Sequence, residues 1–186
     1  MIDQERIARA VREILEAVGE DPERQALVDT PKRVAATYAE LFSGLESDPR
    51  EDLSVTFEEE HEELVIVKGL PFSSLCEHHL LPFIGVAHIG YIPRGRVVGV
   101  SKLAKAVQVL ARRPQIQERL TNQAADLVYE TLKPRGVTTI FRAEHLCMSI
   151  RGVRSPGTTV VTSAHRGVFE TDPDSRSEFL ALVGRD

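Results

Sequence analysis

The sequence has few of the features that mark a disulfide-rich, secreted or membrane-spanning protein. Its 186 residues include two cysteines and no tryptophan. Two cysteines exclude a disulfide framework, although one bridge stays possible, and sparse cysteine favours ligand or reactive roles. No apolar run approaches the roughly 20 residues of a membrane span, and the acidic N-terminus is unlike a signal peptide. These absences predict a cytoplasmic globular protein with no membrane partner.

Positive charge is scarce in the first third of the chain and more abundant after it. Residues 1–63 contain 7 Lys and Arg against 18 Asp and Glu, a net charge of −11. The remainder contains 16 against 10, a net charge of +6. The overall net charge of −5 argues against general nucleic-acid binding. A basic region on an acidic protein favours an anionic small molecule as the ligand.

Several familiar catalytic signatures are absent as well. The sequence contains no His-Glu-x-x-His, no Gly-x-Ser-x-Gly, no Gly-x-x-x-x-Gly-Lys loop and no zinc-deaminase pattern. It does contain two stretches that each hold a cysteine close to a histidine. The first runs from Cys76 to His79, a spacing that lets a thiolate and an imidazole bind one ion from a single turn. The second runs from Glu144 to Cys147, and together they favour a shared metal site.

A site made of Cys76, His79 and Cys147 would have three protein ligands and one open position, as in catalytic zinc sites. His78 and His145 stand beside these ligands and titrate near neutral pH, so they are candidates for proton transfer. The alternatives are ordinary ones. Cys147 taken alone could be a small buried hydrophobe, and His145 could be a strand histidine satisfied by hydrogen bonds.

Apolar periodicity divides the chain into an N-terminal helical part and a sheet-forming part. It predicts an amphipathic helix over residues 3–18, a second, broken helical segment ending at Gly44, and an acidic, irregular linker over 45–62. For the remainder the patterns predict, in chain order, strands over 64–68 and 84–92, helices over 101–113 and 114–133, strands over 137–151 and 158–163, and a short helix from Asp172.

This order is strand, strand, helix, helix, strand, strand. It predicts the α+β class, with a four-stranded antiparallel sheet carrying two helices on one face and preceded by an N-terminal helical segment. A hairpin through residues 155–157 should join the last two strands. Two regions follow: 1–62 as the N-terminal helical region and acidic linker, and 63–186 as the catalytic domain with a short C-terminal helix. Oligomerisation is one way to cover the exposed sheet edges.

Three stretches of sequence resemble a known family. They are SLCEHHLLPFIGVAHIGYIP, VVGVSKLAKAVQVLARRPQIQERLT, and EHLCMSIRGV followed by VTSAHRGVF. With them the chain resembles the type I GTP cyclohydrolase family over nearly its whole length. The resemblance implies the tunnelling fold and a homodecamer of two pentamers with sites at subunit interfaces. It also implies conversion of GTP to 7,8-dihydroneopterin 3'-triphosphate plus formate, the first step of tetrahydrofolate and pterin biosynthesis.

The same resemblance implies roles for individual residues. Cys76, His79 and Cys147 would bind one Zn²⁺ per subunit, which activates the water that attacks C8 of the guanine, and His78 and His145 would shuttle protons. The implied substrate contacts are Glu118, Gln117 and the Val100 backbone at the guanine, Ser101 at the ribose or phosphate, Lys102, Lys105 and Arg151 at the triphosphate, and Arg33 from a neighbouring subunit. Lys105 stands where bacterial relatives often have arginine, and Ala36 where some have lysine, so the resemblance implies a triphosphate-binding set of different composition here.

Two other functions stay open at this point. One is an enzyme of the same fold that acts on a purine-like ring, with Cys76 as a thiolate nucleophile and His78 or His145 as its base. The other is a noncatalytic, zinc-stabilised nucleotide-binding scaffold. Metal analysis distinguishes the first from a zinc enzyme, because a cysteine nucleophile needs no stoichiometric zinc. The scaffold predicts that Cys147→Ser unfolds the protein, whereas a zinc enzyme predicts lost activity in a folded oligomer.

Overall fold

The computed structural model describes residues 1–184 and shows a mixed α+β protein. Its helices are α1 (Gln4–Ala17), α2 (Thr30–Leu41), α3 (Pro49–Leu53), α4 (Val100–Ala111), α5 (Gln117–Leu132), α6 (Leu146–Ser149), α7 (Val168–Thr171) and α8 (Pro173–Val183), with a 3₁₀ turn at Ser43–Glu46. Its strands are β1 (Thr56–Glu58), β2 (Val65–Cys76), β3 (Pro82–Ile92), β4 (Arg96–Val98), β5 (Pro114–Gln115), β6 (Gly136–His145) and β7 (Thr159–Gly167). Within residues 1–184, no helix is long and apolar enough to cross a membrane.

The main sheet has five strands in the order β5-β2-β3-β6-β7. The four long strands are antiparallel to their neighbours, and the short β5 runs parallel to the end of β2. Because successive strand residues face opposite sides, Phe141 enters the main core with α4 and α5, whereas Ile140 packs with Phe179 of α8. The predicted α+β class is therefore confirmed, and α4 and α5 lie between β3 and β6 in the chain.

The second cysteine stretch departs from the predicted single strand. Strand β6 ends at His145, and the next residues turn into α6, which carries Cys147. The predicted hairpin does join the last two strands, since β6 and β7 pair antiparallel, but the connection is long: residues 146–158 separate them. A continuous strand would alternate its side chains across the sheet, so this turn is what lets Cys147 face a different direction from the strand positions before it.

The predicted start of the second long helix is also corrected. Pro114 does not open a helix: Pro114 and Gln115 form β5, and α5 begins at Gln117. The edge of β2 explains the difference, because Leu75 and Cys76 pair with this segment and the Glu77 N–H donates to the Gln115 carbonyl at 3.0 Å. Backbone groups at a buried edge need partners, and that need overrides the local preference of proline for a helix start.

The acidic segment predicted to be irregular contains ordered elements. Asp48 caps α3 by accepting from the Arg50 N–H, and Leu53 at the end of α3 is fully buried in the main core. Strand β1 pairs with β4. The burial of Leu53 and the pairing of β1 thus anchor a segment that composition alone marks as solvent-exposed. The boundary near residue 62 stays a prediction, and residues 185–186 of the second region lie outside the described residues.

Gly85 in β3 offers a test of this packing. A Cβ at this position would lie 1.8 Å from the Arg142 carbonyl oxygen and 2.6 Å from the Ala143 Cα, both backbone atoms that cannot rotate away. We expect Gly85→Ala to lower the free energy of unfolding by about 1–3 kcal/mol or more, the usual cost of overpacking. Gly99→Ala is the control, since its Cβ meets only the Lys102 Cγ at 3.5 Å and Phe57 at 3.9 Å. Urea unfolding midpoints make the comparison, and equal midpoints would contradict the expectation.

Candidate metal centre

The first cysteine stretch forms a closed turn between β2 and β3. The Leu80 N–H donates to the Cys76 carbonyl at 2.8 Å, and the Cys76 N–H donates to the Leu81 carbonyl at 2.9 Å. Leu80 completes the turn with a φ of 51°, in the left-handed region that non-glycine residues seldom adopt. The turn places a ring nitrogen of His79, Nδ1, 3.8 Å from the Cys76 Sγ. Two potential ligands therefore face one point from a single turn.

The sheet register brings the second stretch to the same place. His145 is paired with Phe83 across β3 and β6, and Phe83 lies at the start of β3 immediately after the turn. One residue past His145, the chain enters α6. As a result, ligand atoms of Cys76, His79 and Cys147 all lie within 4.8 Å of one another. Both cysteines are free, so the disulfide left open by the sequence is not formed.

The chemistry of these three donors fits a metal ion. Burial raises the pKa of the Cys147 thiol, and the neighbouring Cys76 raises it further through charge repulsion and a hydrogen bond. Two thiolates this close together need a cation between them to be stable. Sulfur and imidazole nitrogen are the ligand types that zinc prefers. Cys76, His79 and Cys147 are thus suited to hold a metal ion.

His145 is held by a buried glutamine at the start of α5. The Gln117 side chain is 1% exposed, and its Nε2 donates to the carbonyls of Phe141 and Val160 and to Thr162, at 3.0–3.1 Å. These acceptors fix the amide orientation, so Gln117 Oε1 must accept from His145 Nε2, at 2.8 Å. The His145 ring also stacks on Phe83 with a centroid distance of 4.8 Å. The imidazole has one orientation and one tautomer.

Burial is the main influence on the protonation of His145. It lowers the pKa of the imidazole, while the Glu118 carboxylate opposes that shift by attraction to the charged form. Glu118 itself is exposed in the first turn of α5, so its oxygens are available to a ligand.

His78 and Glu77 occupy the middle of the metal-binding turn. The His78 side chain is 65% exposed, with its Nδ1 3.9 Å from the Cys76 Sγ and its Nε2 3.8 Å from a Glu77 carboxylate oxygen. Glu77 in turn forms a two-pronged ion pair with Arg119 of α5, at 2.5 and 3.0 Å. His78 is therefore a solvent-accessible group at the edge of the site.

Arg151 reaches the site from the loop that follows α6. Its Nη2 contacts the His79 Nε2 at 2.5 Å. The loop is pinned by Glu144, whose Oε1 accepts from the Ser149 hydroxyl at 2.6 Å and from the Gly157 N–H at 3.0 Å. These two bonds lower the pKa of the Glu144 carboxyl. The anchor thus depends on an ionised Glu144.

We expect Glu144→Gln to be less stable than the parent chain at neutral pH. Because the carboxyl has a lower pKa in the folded chain than in the unfolded one, its contribution is present above the unfolded pKa and is lost as the pH falls through the folded one. The difference between the two unfolding midpoints should therefore shrink below about pH 4, near the ordinary pKa of glutamate. Thermal unfolding of the metal-free proteins across this range measures it. A difference that does not change with pH would contradict the assignment.

The other predicted substrate residues are on different elements from this cluster. They are Val100, Ser101, Lys102 and Lys105 on α4, and Arg33 on α2. Lys102 lies 3.8 Å from an Asp52 oxygen, and Arg33 lies 3.5 Å from Asp29. Among residues 1–184, no hydrogen bond or ion pair joins these five residues to the cysteines and histidines of the cluster. Within the described residues, these predicted site residues thus have no direct bond to the cluster.

Sequence reasoning missed part of this arrangement. Glu77 and Arg119 were not assigned roles, although each lies next to a predicted site residue in the sequence. The resemblance assigns Gln117 to the guanine, whereas in the structure its side-chain amide forms hydrogen bonds to β6, β7 and His145. The sequence shows that both residues are charged and adjacent to predicted site residues, but it does not show which residue Glu77 pairs with. Only the fold identifies that partner as Arg119.

The fold and the site define an α+β protein with a candidate three-ligand Cys/His/Cys metal centre beside a fixed histidine and an exposed carboxylate. The chain belongs to the GTP cyclohydrolase I family, whose model matches residues 7–184. It is 60% identical over 178 residues to GTP cyclohydrolase 1 of Geobacillus kaustophilus, covering 95% of each chain. It is 59% identical to GTP cyclohydrolase 1 of Geobacillus sp. over 183 residues, and 57% identical to that of Bacillus subtilis over 185, in both cases covering at least 97% of each chain.

The comparison with solved structures gives only a weak similarity. An archaeosine synthase QueF-like protein in its apo form aligns with 56% of this chain and 93% of its own, at 23% identity and a TM-score of 0.45. This similarity is too weak to define the fold of the chain.

Proposed function

We propose that this protein is a GTP cyclohydrolase, which converts GTP to 7,8-dihydroneopterin 3'-triphosphate and formate in tetrahydrofolate and pterin biosynthesis. One observation carries the proposal. In a chain that aligns almost end to end with GTP cyclohydrolase 1 relatives, Cys76, His79 and Cys147 bring their ligand atoms within 4.8 Å of one another, next to His145. This reaction requires two hydrolytic steps on one ring, so the site must activate water and transfer protons.

Zinc is the metal we propose, one ion per subunit, held by Cys76, His79 and Cys147. When bound, it would supply Lewis acidity that makes water a nucleophile near neutral pH. The two cysteine sulfurs favour zinc over magnesium or calcium, which prefer oxygen ligands. Three ligands rather than four leave room for a reactant.

Proton transfer is the role we propose for His145 and His78. Since the Nε2–H of His145 is donated to Gln117, its Nδ1 is the atom left to accept or deliver a proton at the substrate. The stack on Phe83 prevents the ring from turning away. His78 is exposed and can exchange protons with solvent, which suits the second proton carrier.

Recognition of the guanine is the role we propose for Glu118. Its carboxylate can accept from the N1–H and the 2-amino group together, a pair of donors that adenine does not have. The neighbouring Gln117 has a different role, because its side-chain amide is already hydrogen-bonded to β6, β7 and His145. We therefore propose that Gln117 orients His145 and does not itself contact the guanine.

The triphosphate residues support a site shared between copies of the chain. Arg151 lies at the metal cluster, but within residues 1–184 of one chain Arg33, Ser101, Lys102 and Lys105 form no hydrogen bond or ion pair with it. We propose that these residues, with the Val100 backbone, complete the site of a neighbouring subunit in a homodecamer of two pentamers. The tunnelling fold, with residues 63–186 as the catalytic domain, belongs to the same proposal, and a cytoplasmic location stays a prediction from the sequence.

The test is direct. Purified protein supplied with zinc should release formate from GTP and develop pterin fluorescence in equal amounts. ATP is the control substrate, and it should yield neither, because the Glu118 carboxylate would find no matching pair of donors. Absence of formate from a fully metallated oligomer would overturn the proposed function.

A further inference from the structure

The ion pair between Glu77 and Arg119 joins the two halves of the candidate site. Glu77 is the residue after Cys76 in the metal-binding turn, and Arg119 is the residue after Glu118 in the first turn of α5. The pair is bidentate, with Arg119 Nη1 to Glu77 Oε2 at 2.5 Å and Nη2 to Oε1 at 3.0 Å. A fork-to-fork contact fixes orientation as well as distance, which a single contact does not.

The backbone supports the same connection from a second point. The Glu77 N–H donates to the Gln115 carbonyl at 3.0 Å, two residues before α5 begins. The main chain of Glu77 is therefore bonded to the segment that leads into α5, and its side chain is bonded to the first turn of α5. The same carboxylate lies 3.8 Å from His78 Nε2. A displacement of Glu77 would thus move a metal ligand on one side and a proposed proton carrier on the other.

The consecutive residues Gln117, Glu118 and Arg119 point in different directions, because residues on a helix are about 100° apart. Gln117 points inward to His145, near the ligand Cys147. Arg119 points to Glu77, next to the ligand Cys76. Glu118 stands between them and is exposed. The first turn of α5 is therefore attached to both cysteine stretches.

We propose that Glu77 and Arg119 are positioning residues: their ion pair holds the metal-binding turn at a set distance from Glu118, so that the metal and the guanine-binding carboxylate stay aligned. This inference rests on the proposed function for the role of Glu118. A stabilising role alone would be minor, because the two side chains are 30% and 42% exposed and exposed ion pairs contribute little to folding. The effect should appear in metal affinity and in substrate use, with the folded state intact.

The experiment is a double-mutant cycle on Glu77→Gln, Arg119→Gln and the double variant. Cobalt(II) titration of the metal-free protein, followed by the cobalt–thiolate absorption band, measures metal affinity without turnover. Each single variant should bind cobalt about 10-fold more weakly, as is typical when a partner behind a metal ligand is lost. The double variant should be no weaker than either single one, because the same contact is removed once. The variants should also raise KM for GTP while urea midpoints stay unchanged.

Asp126→Asn provides the matched control. Asp126 lies on the same helix and forms an ion pair with Arg166 of β7 at 2.6 Å, well along α5 from Glu118. It should leave cobalt affinity and KM unchanged. Unchanged cobalt affinity in the Glu77 and Arg119 variants, or effects that simply add in the double variant, would overturn the positioning role. Since the cobalt titration involves no GTP, a failure here is distinct from a failure of the parent chain to release formate.

Discussion

Cys147→Ser should abolish formate release while leaving the chain folded. A serine hydroxyl stays protonated at neutral pH and is a poor zinc ligand, so only Cys76 and His79 would remain. We expect zinc content to fall far below one ion per chain. Loss of a residue that hydrogen-bonds to a metal ligand typically lowers activity about 10- to 100-fold. Loss of the ligand itself should lower the activity by more than that. Cys147 is only partly buried, at the margin of the main core, so we expect the chain to fold without its sulfur.

Three measurements on this variant separate the competing functions. Circular dichroism and size-exclusion chromatography should match the parent chain, whereas an unfolded variant would support a zinc-stabilised scaffold. Metal analysis should show the loss of zinc. Activity retained in Cys147→Ser and lost in Cys76→Ser would support a cysteine nucleophile instead. His61→Ala is the control, because His61 is an exposed histidine outside the cluster and should change none of these properties.

Glu118→Gln should produce the second large loss, this time in substrate recognition. The amide has nearly the shape of the carboxylate but lacks its charge, and its NH₂ group would face a donor on the guanine. Two hydrogen bonds to a charged group are affected, each worth about 1.5–3 kcal/mol. We therefore expect kcat/KM for GTP to fall by about 10²- to 10⁴-fold. Zinc content should stay at one ion per chain, because Glu118 is not among the ligands.

Inosine triphosphate gives this prediction a sharper readout. It lacks the 2-amino group, so the parent chain should use it much less well than GTP. The Glu118→Gln variant should discriminate less between the two nucleotides, since the acceptor for that group is weakened. Glu130→Gln is the matched control on the same helix, where Glu130 forms an ion pair with Arg50. Undiminished discrimination in Glu118→Gln would remove Glu118 from guanine recognition.

Much of the fold could be predicted from periodicity. The helix from Gln4 to Ala17 matches the predicted helix over residues 3–18, and α8 begins at Pro173, capped by Asp172 where its start was predicted. These signals are local, since a cap or an apolar face is set by neighbours within one or two turns. The errors fall where distant contacts decide. Pro114 joins the edge of β2 instead of opening a helix, and residues 146–149 leave the strand pattern to form α6.

The candidate site shows the same division. Residue type and spacing alone predicted Cys76, His79 and Cys147 as candidate ligands, and His78 and His145 as their companions, and the structure brings the three candidate ligands together. The resemblance to a family proposed Glu118 and the phosphate-binding residues. Neither source indicated that Gln117 is buried and bonded to His145, because that depends on the position of β6 and β7 behind α5.

The sequence by itself determined the chemistry available to this protein: two thiols each near a histidine, an acidic N-terminal third, and helical and β patterns in an α+β order. Tertiary structure alone decided that the two cysteine stretches meet. Residues 76 and 147 are far apart in the chain, and only the pairing of β2 with β3 and of β3 with β6 brings them together. It also decided that Arg119 binds Glu77. Side-chain direction and strand register are set by the packing of the whole sheet, so no local pattern contains them.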